Sequence, residues 1–380
     1  MKITDIETFG VNPGDGNHIF VRVLTDEHLS GSGEAYRVGP DQAVIETIEY
    51  LKDWLIGQDP TRIEHLWRLM YNGSRFPGGS LLNAAISGIE TALWDLKGKI
   101  HNVPVYQLLG GRCRDRVRVY LGIGGETPQE VAAEAKQAVE RYGMTAVKMR
   151  PQPGESEKLS WNQVLRGTEK RLAAVRRAIG DDIDIGLDPH AAIFEPVRAL
   201  EMAEVVKPFR PMFFEEPLRP ENIAAMGRLH EKIGIPIATG ELLYTKYEFR
   251  DLIAAGAADI LQPDLLLCGG LMEAKKIAAM AEAEYLTIAP HSPLGPMSTA
   301  VSVQFAASTP NFCILEYRID SEGPKRKLIR QPLRLREGYL EIPDTPGIGL
   351  ELDFDKFKNQ PLKPWHRRFP IEHDGNIGYQ

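Results

Sequence analysis

Apolar and polar positions divide the chain into two kinds of segment. From about residue 117, short apolar stretches alternate with polar turns and with helically spaced segments, which is typical of successive βα units. The apolar stretches cover 117–123, 146–149, 183–188, 212–217, 236–241, 259–264, 286–291 and 312–316. Eight such units in about 200 residues favour a closed (β/α)₈ barrel over an open doubly wound sheet. The Gly-rich phosphate loop that a doubly wound sheet would carry after its first strand is absent from the sequence.

The N-terminal part of the chain has a different texture. Two stretches that alternate between apolar and polar side chains, 1–10 and 18–25, predict antiparallel strands joined by the turn-prone sequence NPGDGN. Residues 81–99 follow with a helical pattern that places Ile86 and Ile89 on one apolar face. The patterns predict three parts: an N-terminal α+β capping domain over 1–115, a (β/α)₈ TIM-like barrel over 116–329, and a C-terminal segment over 330–380 that packs back on the capping domain and completes it.

Composition and charge remove several classes of partner. The chain has 380 residues, 43% of them hydrophobic, and a formal net charge of -7, so it lacks the basic surface that nucleic acid or an anionic membrane selects. The N-terminus has no signal-peptide core, and no apolar run approaches the roughly 18 residues of a membrane span. Cys113, Cys268 and Cys313 are too widely separated for a disulfide framework or a zinc site. We therefore expect a cytoplasmic protein with no nucleic-acid or membrane partner.

Acidic residues follow three consecutive predicted strands, at Asp188, at the pair Glu215–Glu216 and at Glu241. The carboxyl ends of barrel strands converge on one mouth, where active sites lie. Three carboxylates gathered there repel one another unless a divalent cation holds them, and all-oxygen ligation favours Mg²⁺ over Zn²⁺. Only one member of the Glu pair can face the mouth, and periodicity does not choose between them. Taken singly, each acid is equally well explained as a solvated turn residue or a helix cap.

The last three predicted strands also end in polar residues, Asp264, His291 and Glu316. An Asp and a His on neighbouring strand ends can hydrogen-bond, and the carboxylate then fixes the tautomer and raises the basicity of the imidazole. Asp264 and His291 therefore predict a positioned general base. A purely structural role is commoner for a single His, but the acids across the mouth favour the catalytic role.

With these motifs in place, the chain resembles the enolase superfamily, in its mandelate racemase subgroup, and within it the acid-sugar dehydratases of the galactonate type. The resemblance covers nearly the whole chain. It rests on the strand-end acids together with ISGIETALWDLKGKIHNVPVYQLLGG at 86–111, QPD at 262–264 and APHSPLGP at 289–296. It implies that Asp188, Glu215 and Glu241 bind Mg²⁺.

The resemblance also implies roles for residues that face a substrate. Asp264 and His291 would form the dyad that removes the proton next to the substrate carboxylate, and Glu316 and Lys148 would contact that carboxylate. His190, two residues after the first metal ligand, would protonate the departing hydroxyl. The alternative for His190 is that it only orients a ligand carboxylate.

One position departs from the family pattern. Arg150 stands where racemising members have a second Lys base, and a guanidinium is a poor base at neutral pH. Some mannonate dehydratases pair such an Arg with a nearby Tyr, but 151–165 contains no Tyr. Arg150 would then contact the substrate or pair with an acid. The Gly and Pro content of 11–17 and 71–79 predicts lid loops, in which Arg75 would reach a sugar hydroxyl or a distal carboxylate, and it fits ordinary surface turns equally well.

The expected function is Mg²⁺-dependent dehydration of an acid sugar, an aldonate such as galactonate, to a 2-keto-3-deoxy acid through an enediolate that the metal stabilises. Two alternatives remain: a racemase or epimerase of a 2-hydroxy acid, which the missing Lys base disfavours, and a catalytically weak sugar-acid sensor. We expect a homo-oligomer whose size the sequence does not give.

Overall fold

An antiparallel sheet and a group of helices form the N-terminal part of the computed structural model, which describes residues 1–367, 369–372 and 374–378. The strands are β1 (Ile3–Val11), β2 (His18–Thr25) and β3 (Ser30–Ala35), and the helices are α1 (Asp41–Leu55), α2 (Ile63–Gly73), α3 (Gly79–His101) and α4 (Val105–Leu108). Strands β1 and β2 pair antiparallel across the turn at NPGDGN, which confirms the predicted hairpin. The predicted helix over 81–99 is the central part of α3.

Strand β3 has no counterpart among the predicted strands. Its sequence, SGSGEA, contains two glycines and no β-branched or aromatic residue, so its intrinsic strand preference is low. A Cβ at Gly31 would lie 2.0 Å from the carbonyl oxygen of Ala92, and one at Gly33 would lie 2.2 Å from that of Gly88. The backbone of α3 therefore lies directly on β3, and the glycines make this close approach feasible.

Parallel strands follow at each of the eight predicted positions. They are β4 (Arg116–Ile123), β5 (Ala146–Met149), β6 (Asp184–Leu187), β7 (Phe213–Glu215), β8 (Ile237–Thr239), β9 (Ile260–Leu261), β10 (Thr287–Ile288) and β11 (Leu315–Tyr317). Neighbours in sequence pair from β4 to β10, and β11 pairs with β4. A bridge between Ile288 and Phe312 joins β10 to the segment before β11 and completes the circle of neighbours. The predicted (β/α)₈ fold is confirmed.

Helices cover the outside of these strands. They are α5 (Pro128–Tyr142), α6 (Trp161–Ile179), α7 (Pro196–Val206), α8 (Ile223–Ile233), α9 (Thr245–Ala254), α10 (Leu271–Ala283) and α11 (Pro296–Ala307). Short 3₁₀ turns lie at Ser156–Lys158, Lys207–Phe209, Pro220–Asn222, Pro324–Leu328 and Phe354–Asn359. Within the described ranges, none of the helices has the length and apolar character needed to cross a membrane.

The C-terminal segment contacts both parts of the molecule. Strands β12 (Leu335–Arg336) and β13 (Tyr339–Glu341) form a hairpin, and β13 pairs antiparallel with β4 of the barrel. Further along, the backbone oxygen of Gln360 accepts a hydrogen bond from the Asn12 backbone at 2.8 Å, and Trp365 Nε1 donates to Asp41 Oδ2 at 2.8 Å. The segment thus extends the barrel sheet as well as lying on the N-terminal domain, and the pairing with β4 was not predicted.

A buried carboxylate of the N-terminal domain caps a barrel helix. Glu90 of α3 accepts hydrogen bonds from the backbone N–H groups of Leu271 at 2.8 Å and Met272 at 3.0 Å, the first residues of α10, and from Trp94 at 2.7 Å. Burial raises the pKa of Glu90 to about 7, although these hydrogen bonds act in the opposite direction. The junction lies just after the loop that carries Asp264, so the two domains meet close to the barrel mouth.

This junction predicts a pH-dependent stability. Because the pKa of Glu90 is raised from 4.5 to about 7 in the folded state, its favourable contribution is complete below about pH 4.5 and is lost as the pH rises through 7. Relative to a Glu90→Gln variant, the wild type should lose up to roughly 3 kcal/mol of unfolding free energy between about pH 5 and pH 8. Calorimetric melting across this range measures the difference, with exposed Glu231→Gln as control. If the unfolding free energies of the wild type and Glu90→Gln change by the same amount between about pH 5 and pH 8, the prediction is wrong.

Candidate active site

A cavity of about 510 Å³ opens at the carboxyl ends of the barrel strands. This size lies within the usual range of about 300–1,000 Å³ for small-molecule sites. Residues predicted from the sequence make up much of its lining: Lys148, Arg150, Asp188, His190, His291 and Glu316. The structure therefore brings the ends of β5, β6, β10 and β11 to one cavity.

A buried lysine joins three of the strand-end carboxylates. The ammonium of Lys148 lies 2.5 Å from Glu215 Oε1, 3.3 Å from Asp188 Oδ2 and 3.5 Å from Glu316 Oε1. Burial acts to lower the pKa of Lys148, but the surrounding carboxylates outweigh it and raise that pKa well above its ordinary value. For Asp188, burial is likewise outweighed, because the Lys148 ammonium and the His190 contacts lower its pKa. The lysine therefore remains charged and holds the acids together.

The two members of the Glu215–Glu216 pair have different partners. Glu215 faces Lys148 and accepts a hydrogen bond from Gln262 Nε2 at 2.8 Å. Glu216 Oε1 instead accepts from Thr239 Oγ1 at 2.8 Å and from the Gly240 backbone at 2.9 Å. The structure thus answers the question that periodicity left open: Glu215 belongs to the carboxylate cluster, and Glu216 supports the loop that begins after β8.

Asp264 and His291 form a direct pair. They are bridge partners on adjoining strands, and His291 Nδ1 lies 2.8 Å from Asp264 Oδ2. The Nε2 atom lies 3.3 Å from Glu241 Oε2 and 3.8 Å from Glu316 Oε2. Burial acts to lower the pKa of His291, but Glu241, Asp264 and Glu316 together raise it to about 10. In this arrangement His291 is held in one orientation with Nε2 toward the carboxylates.

His190 lies beside the first acid in an unusual backbone conformation. It has a φ of 62°, and its backbone N–H donates to Asp188 Oδ1 at 2.7 Å. The ring Nδ1 lies 3.4 Å from Asp188 Oδ2, and the side chain is 48% exposed. The hydrogen bond to Asp188 raises the pKa of His190 against the effect of burial. His190 therefore lines the cavity as a histidine that favours the protonated form.

The two predicted arginines lie in different places. Arg150 lines the cavity, and among the described residues it has no acidic partner within salt-bridge distance. The proposed pairing of Arg150 with a neighbouring acid is therefore wrong in this structure. Arg75 is exposed, lies outside the cavity lining and stacks on Phe76, 5.6 Å from the ring centroid. A substrate role for Arg75 stays a prediction.

Sequence reasoning missed two residues of this region. Tyr36, just after β3, approaches from the N-terminal domain, and its ring centroid lies 6.1 Å from that of His291. Burial, and then the charge of Asp264, raise the pKa of Tyr36 well above its usual value. Arg318 lines the cavity two residues after Glu316. The position of Arg318, two residues after a predicted site residue at the end of a strand, could have indicated that it lines the cavity. No local sequence pattern indicates the position of Tyr36.

The acids fit a divalent cation chemically. Among residues 1–367, 369–372 and 374–378, no group of His, Cys, Asp or Glu side chains has a preformed metal-binding geometry. However, Glu241 Oε2 is buried without a hydrogen-bond partner, and burial raises the pKa of Glu215 well above its usual value. Carboxylates whose negative charge is disfavoured by burial are suitable oxygen ligands for a hard divalent cation.

The fold and the site define a (β/α)₈ barrel protein with an N-terminal α+β domain, and with a His–Asp pair and several carboxylates at the barrel mouth. Comparison with known families identifies the family. Residues 13–110 match the family of the mandelate racemase / muconate lactonizing enzyme N-terminal domain, and residues 130–356 match the family of enolase C-terminal domain-like sequences. The chain belongs to this family of the enolase superfamily. Members of the superfamily use a divalent metal.

Relatives over the full length share a dehydratase assignment. The chain is 37% identical to a D-galactonate dehydratase of Ralstonia pickettii over 93% of this chain and 92% of the relative. It is 36% identical to one of Variovorax paradoxus over 99% of both chains. A solved structure from Agrobacterium radiobacter, a proposed galactarate dehydratase with bound sodium and L-malate, is 39% identical, covers 100% of both chains and superposes with a TM-score of 0.96.

The supporting role of Glu216 is testable. Burial, and then the charge of Glu241, raise the pKa of Glu216 to about 8, so near neutrality it resembles an amide in charge and shape. We expect Glu216→Gln to keep divalent-cation affinity within a few-fold, whereas Glu216→Ala should lower it by about 10- to 100-fold because the loop before Glu241 loses its hydrogen bonds. Calorimetric titration with Mg²⁺ measures both, and circular dichroism controls for folding. Equal affinities of the two variants would overturn the positioning role.

Proposed function

We propose that this protein is a Mg²⁺-dependent dehydratase that converts an acid sugar to a 2-keto-3-deoxy acid. The observation that carries the proposal is one cavity lined by His291, whose ring is paired with the buried Asp264, by a second histidine, His190, and by the carboxylates of Asp188 and Glu316. Relatives that match along the whole chain and are dehydratases support the reaction class.

Asp188, Glu215 and Glu241 would hold the Mg²⁺ ion. When bound, the cation neutralises charge that develops on the substrate carboxylate during proton removal and offsets the effect of Glu241 on the pKa of His291. The buried Lys148 ammonium provides a positive charge for the same carboxylate. Glu316 would act on the same carboxylate through Lys148: burial acts to raise the pKa of Glu316, but Lys148, His291 and Arg318 outweigh it and lower that pKa, so Glu316 stays ionised beside the ammonium.

Proton removal from C2 is assigned to His291. Its Nδ1 is hydrogen-bonded to Asp264 at 2.8 Å, so Nε2 is the nitrogen that faces the cavity and takes the proton. The electron pair of the broken C2–H bond moves into the carboxylate to give an enediolate. Asp264 stabilises the imidazolium that results.

Loss of the C3 hydroxyl is assigned to His190. Its imidazolium gives a proton to the departing oxygen, the C3–O bond breaks, and water leaves. The electron pair of the enediolate forms the C2–C3 double bond. The enol then tautomerises to a 2-keto-3-deoxy acid.

Racemisation is the weaker alternative. It needs a second base on the opposite face of C2, and the β5 position that would carry one is Arg150, which stays protonated. A sugar-acid sensor without turnover would not require the dyad. We also propose the domain limits 1–115, 116–329 and 330–380, a homo-oligomeric assembly and a cytoplasmic location.

The substrate class is divided among the relatives. Galactonate, named for the Ralstonia and Variovorax relatives, carries one carboxylate, whereas galactarate, named for the Agrobacterium relative, carries one at each end. Both contain the 2-hydroxy acid group on which the chemistry depends. The proposed reaction therefore holds for either.

Turnover of acid sugars tests the proposal directly. With Mg²⁺ and a panel of aldonates and aldarates, we expect 2-keto-3-deoxy product from one stereochemical set. His291→Asn should reduce kcat by about 10²- to 10⁴-fold because it removes the general base. Colorimetric detection of the keto acid, with exchange of the C2 hydrogen in heavy water, measures both steps. Exchange of the C2 hydrogen without keto-acid product would favour racemisation. The absence of both exchange and product would favour a sensor.

Metal binding has a readout that does not depend on activity. A cation that binds only the folded state stabilises it by roughly 2.7 kcal/mol at about 100 times its Kd. We expect Mg²⁺ to raise the Tm of the wild type, and Glu241→Gln to remove most of this rise. Exposed Glu204→Gln should keep it. A full rise in Glu241→Gln would exclude Glu241 as a ligand.

A further inference from the structure

Two guanidinium groups on the cavity have no role in the proposed chemistry. Arg150 follows β5 and Arg318 follows β11, and both are exposed to the cavity. Among the described residues, neither has an acidic partner within salt-bridge distance. Unpaired guanidinium groups that line a small-molecule cavity point to a ligand with negative charge.

Both arginines lie two residues farther along their strands, toward the barrel mouth, than Lys148 and Glu316, the residues beside the proposed reaction centre. Arg150 comes two residues after Lys148, and Arg318 comes two residues after Glu316. Because Lys148 and Glu316 contact each other at 3.5 Å, the arginines form the next layer toward the mouth. Two residues of an extended strand advance about 6.6 Å. The terminal carboxyl carbons of an extended six-carbon diacid are separated by a similar distance, about 6 Å from ordinary C–C bond lengths.

Strand pairing brings the two arginines to the same side of the cavity. Strands β11 and β5 are the parallel partners of β4 on its carboxyl-terminal side, so Arg150 and Arg318 flank the end of β4. The guanidinium of Arg318 lies over Gly122 of β4, 3.7 Å from the position that a Cβ would occupy there. Gly122 is in register with Lys148. At Gly122, strand β4 therefore has no side chain between the layer of Lys148 and Glu316 and the layer of the two arginines.

The surrounding charges leave this layer positive. Burial lowers the pKa of Lys325, the charge of Asp15 raises it, and Arg318 lowers it further, so a third cation lies close to Arg318. Lys325 has Asp15 at 3.7 Å as its own partner. Two acids of the cavity lining lie near these arginines. Glu134 accepts a hydrogen bond from the Gly124 backbone at 2.5 Å, and Glu316, which interacts electrostatically with Arg318, has Lys148 as its partner at 3.5 Å. The positive charge of Arg150 and Arg318 is therefore available to a ligand.

We infer that Arg150 and Arg318 bind a second carboxylate at the far end of the substrate, so that the acid sugar is a diacid, an aldarate, in place of the aldonate expected from the sequence. This inference rests on the proposed function, because it takes the first carboxylate to lie beside Lys148. It also gives a role to the departure from the family pattern at Arg150. The arginine that replaces a Lys base recognises substrate.

Matched pairs of substrates test the inference. Each aldarate is compared with the aldonate of the same configuration, which differs only in having CH₂OH in place of the second carboxylate. For the wild type, the aldarate should have the higher kcat/KM. In Arg318→Met and in Arg150→Met, the ratio of the two kcat/KM values should fall by roughly 10- to 100-fold, mainly through KM. Arg318→Lys should restore part of the ratio, because it keeps the charge but loses the bidentate geometry.

Binding to the inactive His291→Asn protein with Mg²⁺ separates this inference from the proposed function. A tighter Kd for the aldarate that is lost in Arg318→Met, without turnover by the wild type, would reject the dehydratase and keep the diacid site. Turnover with equal binding of both acids, or with preference for the aldonate, would keep the dehydratase and reject the diacid site. Arg177→Met, on the exposed face of α6, is the matched control and should leave the ratio unchanged. An equal loss on both acids would show that the arginines do not recognise the second carboxylate and would overturn the inference.

Discussion

The ion cluster around Lys148 is the interaction on which the barrel mouth depends. Its ammonium is in contact with Glu215, Asp188 and Glu316, which come from three different strands. Buried carboxylates repel one another and lose hydration, so a single cation among them decides whether they stay together. One lysine cannot balance three acids, and this deficit explains why the cluster suits a divalent cation. The same cluster reaches His291 through Glu316, so metal affinity and proton transfer share one electrostatic environment.

The site also depends on contact between domains. The loop that carries Asp264 continues to α10, whose first N–H groups are capped by Glu90 of the N-terminal domain. Tyr36 from the same domain has its backbone N–H bonded to Leu266 at 3.2 Å and its ring beside His291. His291, the proposed general base, is therefore held on one side by the barrel and covered on the other by Tyr36 of the N-terminal domain. The cavity lining comes from the barrel, and the N-terminal domain adds Tyr36 beside His291.

Much of the fold could be predicted because its strands carry a repeated apolar signal. The order of eight βα units and the convergence of Asp188, His291 and Glu316 follow from that repeat alone. Strand β3 could not be predicted, because its glycines serve the close approach of α3, a tertiary contact that local propensity does not contain. The pairing of β13 with β4 and the place of Tyr36 are likewise set by distant segments. The sequence pattern predicts which side chains lie at the end of a strand. It does not predict which distant segment packs against that strand.

Arg150 shows how one side chain can change the chemistry that this fold supports. A Lys there would be a candidate second base, whereas a guanidinium keeps its proton and offers paired N–H donors. The change therefore removes a proton acceptor on one face of the substrate and adds an anion-binding group on the same face. With Arg318 on the other side of β4, the barrel gains a positive layer about 6.6 Å above the Lys148 cluster, given the rise of an extended strand. Under the proposed function and the inferred diacid site, loss of two-sided proton exchange and recognition of a longer, doubly charged substrate are two consequences of the same residue.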